Sequence, residues 1–151
     1  MPNIMDKDAI TLAHVMQPSD ANPIGNVHGG TIIKLIDSAA GVVATRYARG
    51  NAVTASIDRI DFHCPVYVGD LLTLKASLNY VGRSSMEIGV RAEAENMKNG
   101  ETRHTASAYL TFVALDKGGR PREVPSLTLK TDEEKRRHLQ AENRRRIRLG
   151  G

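Results

Sequence analysis

The chain has 151 residues, of which 40% are hydrophobic and 25% charged, the balance of one globular domain able to bury a core without disulfides or metals. No apolar run nears the ~20 residues of a membrane span, no charged-then-apolar leader opens the chain, and Cys64 has no second cysteine, so a reducing cytoplasm is the expected setting. The formal charge of +4 belongs to residues 130–151, where eight Lys/Arg meet four Asp/Glu, while the rest holds 13 of each sign; this speaks against a broad nucleic-acid-binding face.

Ala9 to Met16 reads as a first strand, and Gln17 to Gly25, with two prolines and several turn formers, as a loop. Thr31 to about Tyr47 is apolar nearly all round, the pattern of a helix buried on most sides. Beyond Gly50-Asn51 the period changes to two. Leu72, Leu74, Ala76, Leu78 and Tyr80 alternate with polar residues, as do Met86, Ile88, Val90, Ala92 and Ala94, with turns expected near Gly82 and Asn99-Gly100. Further strands fit Ala52 to Phe62 and Arg103 to Asp116. One long helix followed by consecutive antiparallel strands makes an α+β domain with the sheet wrapped around that helix. Residues 1–129 are assigned to this domain and 130–151 to a C-terminal basic extension. In the extension Thr131-Asp132-Glu133-Glu134 matches a capping box, and the arginines gather near the end of a mostly polar helix.

Asp37 stands out. An ionised carboxylate among Ile33, Leu35, Ile36, Ala40 and Gly41 must be paired, at an edge, or functional. A salt bridge with Lys34 or Arg46 and a functional role are evenly matched on position alone. His28-Gly29-Gly30-Thr31, where loop enters helix, adds weight to the second. Helix N-terminal amides bind a developing oxyanion, and glycine permits close approach, although Gly-Gly also serves ordinary tight turns. From Gly30 to Asp37 is about 10 Å along a helix, too far for both to reach one reacting atom. A two-fold dimer with antiparallel central helices removes the conflict, pairing the helix start of one chain with the aspartate of the other. Asn26 lies near that helix start, where its amide suits positioning water or polarising a carbonyl.

The segments GNVHGGTIIKLIDSAAG (25–41), VTASIDRIDFHCPVYVGD (53–70), VGRSSMEIGV (81–90) and TFVALD (111–116), with the tail TDEEKRRHLQAENRRRIRL, together resemble hot-dog-fold acyl-CoA thioesterases of the cytosolic acyl-CoA hydrolase group, over nearly the whole chain. The resemblance implies a homodimer with a continuous sheet, assembled further into a homohexamer, a trimer of dimers. It implies hydrolysis of acyl-CoA by Asn26 and Asp37, with the Gly30 amide polarising the thioester carbonyl and Asp37 acting as base or nucleophile. It also implies that coenzyme A, a substrate and product rather than a cofactor, is held by Thr54-Ala55-Ser56, by the turn Arg83-Ser84-Ser85 and by Arg146. No metal, nucleic-acid or membrane partner is expected.

Four other residues invite notice. His28 suits orienting the loop better than general-base work, Cys64 a buried small-hydrophobe role, and Asp58 and Asp61 wet strand positions or partners for Arg59. Two other functions compete with hydrolysis. An acyl-thioester hydratase or dehydratase needs a His paired with a carboxylate, and only His28 is near the site. A non-catalytic acyl-CoA-binding module would bind the thioester intact. Nucleic-acid binding through the arginine tail is weak, because no aromatics interleave the basic residues.

Overall fold

The structure is a computed structural model and describes residues 8–150. Strand β1 (Ala9–Val15) leads through a loop with one 3₁₀ turn (Pro18–Asp20) into helix α1 (Gly29–Ala48), and β2 (Ala52–Phe62), β3 (Leu71–Val81), β4 (Ser85–Glu95) and β5 (Thr102–Ala114) follow. A segment without regular structure then reaches helix α2 (Asp132–Gly150). All pairings are antiparallel, in the order β1-β3-β4-β5-β2, so β1 and β2 form the two edges of the sheet.

Helix α1 begins where His28 caps it, its Nδ1 accepting the Gly30 N–H at 3.0 Å. It ends where Arg49 turns left-handed at φ 53° and the Arg122 guanidinium donates to the Ala48 carbonyl at 2.7 Å. Ile32, Ile36, Ala39, Ala40, Val43, Ala44 and Ala48 are buried against the sheet, and the helix touches all five strands. The apolar face is therefore one-sided: Lys34, Ser38, Val42 and Thr45 form an exposed stripe, and Ile33, Asp37 and Gly41 a half-buried flank. All-round burial is not reached within one chain because no layer covers that side.

The inner faces of β3 and β4 carry Leu72, Leu74, Ala76 and Leu78, and Met86 through Ala94, as the alternation predicts. Tyr80 departs from it. A register shift between Leu78 and Tyr80 turns the side chain to the outer face, where its ring lies 4.9 Å from that of His138 in α2.

Helix α2 crosses that outer face. Half of its capping box is made, Thr131 Oγ1 accepting the Glu134 N–H at 3.0 Å, while the Glu134 carboxylate accepts the Lys130 N–H at 2.9 Å instead of that of Thr131. Arg144 makes a two-pronged pair with Glu87 of β4 (2.7 and 2.8 Å) and stacks 3.7 Å above the Tyr109 ring of β5, and Arg148 reaches Asp58 of β2 at 3.1 Å. Beneath it Gly89 leaves necessary space, since a Cβ there would lie 2.7 Å from Asn79 Nδ2.

Candidate active site

Asp37 sits on the half-buried flank of α1 beside the open edge of the sheet. Neither Lys34 nor Arg46 pairs with it. Its Oδ1 accepts the Thr54 hydroxyl of β2 at 2.6 Å, and among the described residues no ion pair and no partner for Oδ2 is found. Thr54 is held there by a bulge: the pairing of β2 with β5 slips between Thr54 and Ser56, so Ala55 has no register partner.

The helix start lies elsewhere on the chain. A cavity of about 280 Å³ is lined by Asn22, Asn26, Gly29, Phe62, His63 and Cys64, among others. Asn22 and Asn26 are knit together: the Asn22 side-chain oxygen accepts the N–H groups of Ile24 and Asn26, both at 3.1 Å, and the Asn22 N–H donates to the Asn26 carbonyl at 2.7 Å. The Gly30 amide is engaged by His28 of its own chain, the N-cap role. The Gly29 N–H, which faces the same helix start, has no acceptor among the described residues. Cys64 is half-buried at this cavity rather than buried, because β2 ends at Phe62 and the chain turns out through His63-Cys64-Pro65. Of the two aspartates read as partners of Arg59, Asp61 pairs with it at 2.8 Å, while Asp58 is taken by Arg148.

Asp37 is not among the residues lining that cavity. Seven residues of helix, roughly 10 Å, separate Gly30 from Asp37, and the strand residues beside them, Phe62 and Thr54, lie at opposite ends of β2. The Asp37–Thr54 pair and the cavity at the helix start thus lie apart along one open strand edge.

Arg83 is exposed at the β3–β4 turn, which is fixed by Gly82 N–H to Ser85 O at 2.8 Å and by the Val124 N–H donating to the Arg83 carbonyl at 2.9 Å. Ser84 and Ser85 are half-buried in the same turn. Arg146 is exposed, donates to Asn143 Oδ1 at 2.8 Å, and lines a concavity of about 450 Å³ with Tyr80 and Arg145. Arg145 belongs to the arginine cluster expected near the end of this helix, whereas Tyr80 reads from the sequence as a core residue. Among the described residues no group of three or more His, Cys, Asp or Glu is arranged to hold a metal, and no helix is long and apolar enough to cross a membrane.

Residues 24–101 match the family model described as "Thioesterase superfamily". The chain belongs to the thioesterase superfamily. This thioesterase-superfamily chain is 38% identical to "Protein VdlD" of Helicobacter pylori over 146 residues, 97% of this chain and 83% of that protein. It superposes on an apo-hexameric acyl-CoA thioesterase with a TM-score of 0.91 at 36% identity, covering 97% of this chain and 94% of the other. It superposes on the Staphylococcus aureus acyl-CoA hydrolase in complex with butyryl coenzyme A, coenzyme A and coenzyme A disulfide with a TM-score of 0.87 at 35% identity, covering 97% and 89%. That hydrolase has also been solved with an asparagine, an aspartate or a threonine replaced by alanine, at positions spaced 15 and 17 residues apart in that order.

Proposed function

We propose that this chain hydrolyses acyl-coenzyme A thioesters to the free acid and coenzyme A, at sites built across a two-fold dimer. The observation that carries the reading is the split itself. Asp37 with Thr54, and the asparagine-glycine cavity at the helix start, flank one unpaired strand yet lie too far apart to act together within a chain. Val53, Ile57 and Phe62 of β2 are 47%, 37% and 48% exposed, the kind of apolar edge that a second copy of the strand covers.

In this reading the helix start of one protomer polarises the thioester carbonyl. Two amides are available in principle: Gly29, which is free, and Gly30, which must exchange His28 for the substrate oxygen. Asp37 of the other protomer faces the carbonyl carbon. With Oδ1 held by Thr54, Oδ2 is left to take a proton from water as it adds, and collapse of the tetrahedral adduct expels the coenzyme thiolate, which is protonated to the thiol.

Either asparagine of the cavity can place the water or carbonyl. Asn26 is the one read from the motif, and Asn22 has the better support from spacing. From Asn22 to Asp37 is 15 residues and from Asp37 to Thr54 is 17, the spacings of the three residues replaced in the Staphylococcus hydrolase, whereas Asn26 to Asp37 is 11. We assign the role to Asn22, with Asn26 fixing its side chain through the N–H it donates. The coenzyme is held by the strand Thr54-Ala55-Ser56 at the bulge, where the Thr54 hydroxyl is already given to Asp37 and the backbone is left for the ligand, by Arg83-Ser84-Ser85 and by Arg146, whose guanidinium suits phosphate oxygens. The hexameric state of the similar solved enzyme supports a trimer of dimers for this chain, which we place outside the membrane and in the cytoplasm.

Release of free thiol from acyl-CoA tests the reading. The wild type is expected to turn over, and Asp37→Asn to lose at least ~100-fold in kcat while keeping its affinity for coenzyme A. Tight binding of intact acyl-CoA without thiol release would instead make this a binding module. Hydration of an enoyl-CoA without thiol release would make it a hydratase, a reading disfavoured because the His28 ring is occupied as a helix cap rather than paired with a carboxylate.

A further inference from the structure

A second recessed site lies on the opposite face of the sheet from α1. Helix α2 and strands β3, β4 and β5 enclose a cleft of about 320 Å³ whose lining includes Lys75, Arg91, Arg136, Arg137 and Arg144. That volume is at the lower end of small-ligand pockets. Three carboxylates answer the five cations. Glu93 is shared by Lys75 (3.3 Å) and Arg91 (2.8 Å), Glu133 pairs with Arg136, and Glu87 with Arg144 (2.7 Å). Five positive and three negative charges leave an excess of two.

One of the two excess charges belongs to the Lys75–Arg91–Glu93 cluster and the other to Arg137. Among the described residues it has no ion pair within 4.0 Å, its one side-chain contact is Nη1 to Ser77 Oγ at 3.5 Å, and its Nε is buried without an acceptor. A guanidinium without a carboxylate partner at the wall of the cleft is a charge that an anion there would pair. The aromatic ring of the lining, Tyr109, is already stacked by Arg144 at 3.7 Å, so the cleft offers charge and hydroxyls rather than a platform for a base.

We propose that this cleft binds a small molecule through a diphosphate group, and that it is distinct from the coenzyme site. Arg146 does not line it, and the nine residues from Arg137 to Arg146 put the two about 13 Å apart along α2. The ligand is recognised by its phosphates, with Arg137 as the principal contact and Lys75 and Arg91 reaching it from the sheet floor. A bound diphosphate would tie α2 to β3 and β4.

Isothermal titration calorimetry of the full chain with its coenzyme site saturated by coenzyme A, at about 0.15 M salt, tests this, with inorganic pyrophosphate and ADP as probes. Both are expected to bind at one per chain with affinities within about threefold of each other, since nothing in the cleft reads a base. Arg137→Gln is expected to weaken both at least ~10-fold, and Lys75→Gln to weaken both as an independent check should the first variant melt abnormally. Arg146→Gln is expected to leave pyrophosphate binding unchanged. Absence of saturable pyrophosphate binding overturns the proposal. So does loss of binding in Arg146→Gln with retention in Arg137→Gln, which would put the anion in the coenzyme site, and so does binding of ADP without pyrophosphate.

Discussion

The Thr54 hydroxyl does for Asp37 what a cation would otherwise do, but without neutralising it. The donor, at 2.6 Å, fixes the rotamer of the carboxylate and leaves one oxygen available. Thr54→Val, which keeps the β-branch and removes the donor, is therefore expected to reduce kcat about 10-fold with KM for acyl-CoA within about twofold, and Thr54→Ser to restore most of the rate. Equal losses in both variants would mean that the methyl rather than the hydroxyl matters. Asp37 was legible in the sequence because a carboxylate in an apolar helix is conspicuous on its own. Its partner was not. Thr54 lies 17 residues on and meets Asp37 only because a bulge in β2 re-aims it. The motif points to Asn26 because it adjoins the glycines, and the role proposed for Asn22 rests on spacing alone, since its side chain turns back on the loop.

At the scale of elements, α2 is more than a polar appendage. Its amphipathicity is weak, so the sequence offered little reason to dock it, but three arginines anchor it on three strands. The Glu87 carboxylate is 6% exposed and Arg144 24% exposed, and removing one charge leaves the other stranded in a half-dry setting. Glu87→Gln is expected to cost about 2 kcal/mol. Most of that should appear as faster amide hydrogen exchange in residues 138–150, with the sheet core protected as before. Loss of protection throughout β3–β5 would contradict this local picture. Alternation along β4 read Glu87 as a wet position, and it reads so because the covering layer comes from a segment 57 residues away. Nearby, Arg91 and then Lys75 hold the Glu93 carboxyl below its ordinary value of 4.5. A carboxyl whose folded-state pKa is depressed stabilises the fold above its unfolded pKa, and that contribution fades as pH falls through the folded value. Wild type and Glu93→Gln should therefore differ in stability by no more than about 1 kcal/mol at neutral pH and converge in acid, which denaturant titrations at pH 7 and pH 3 would measure.

The whole molecule makes sense as half of something. A long exposed edge strand, an uncovered stripe on α1 and the two separated residue groups are what the proposed two-fold dimer would complete together. If each site takes Asp37 from one protomer and the asparagine-glycine cavity from the other, two dead variants can rescue each other. In a mixed dimer of Asp37→Asn and Asn22→Ala, one site receives both lesions and the other receives none. With equal amounts and random exchange, half of the dimers are mixed and half of their sites are intact, so about a quarter of wild-type activity should return. The measurement is thiol release before and after the two inactive proteins are denatured together and refolded, with each refolded alone as the control. Repeating it with Asn26→Ala in place of Asn22→Ala separates the two asparagines, since only a variant that is inactive alone can show rescue. Were Asp37 and the asparagine to act within one chain, every protomer in the mixture would carry a lesion at its own site, and no activity would return at any mixing ratio.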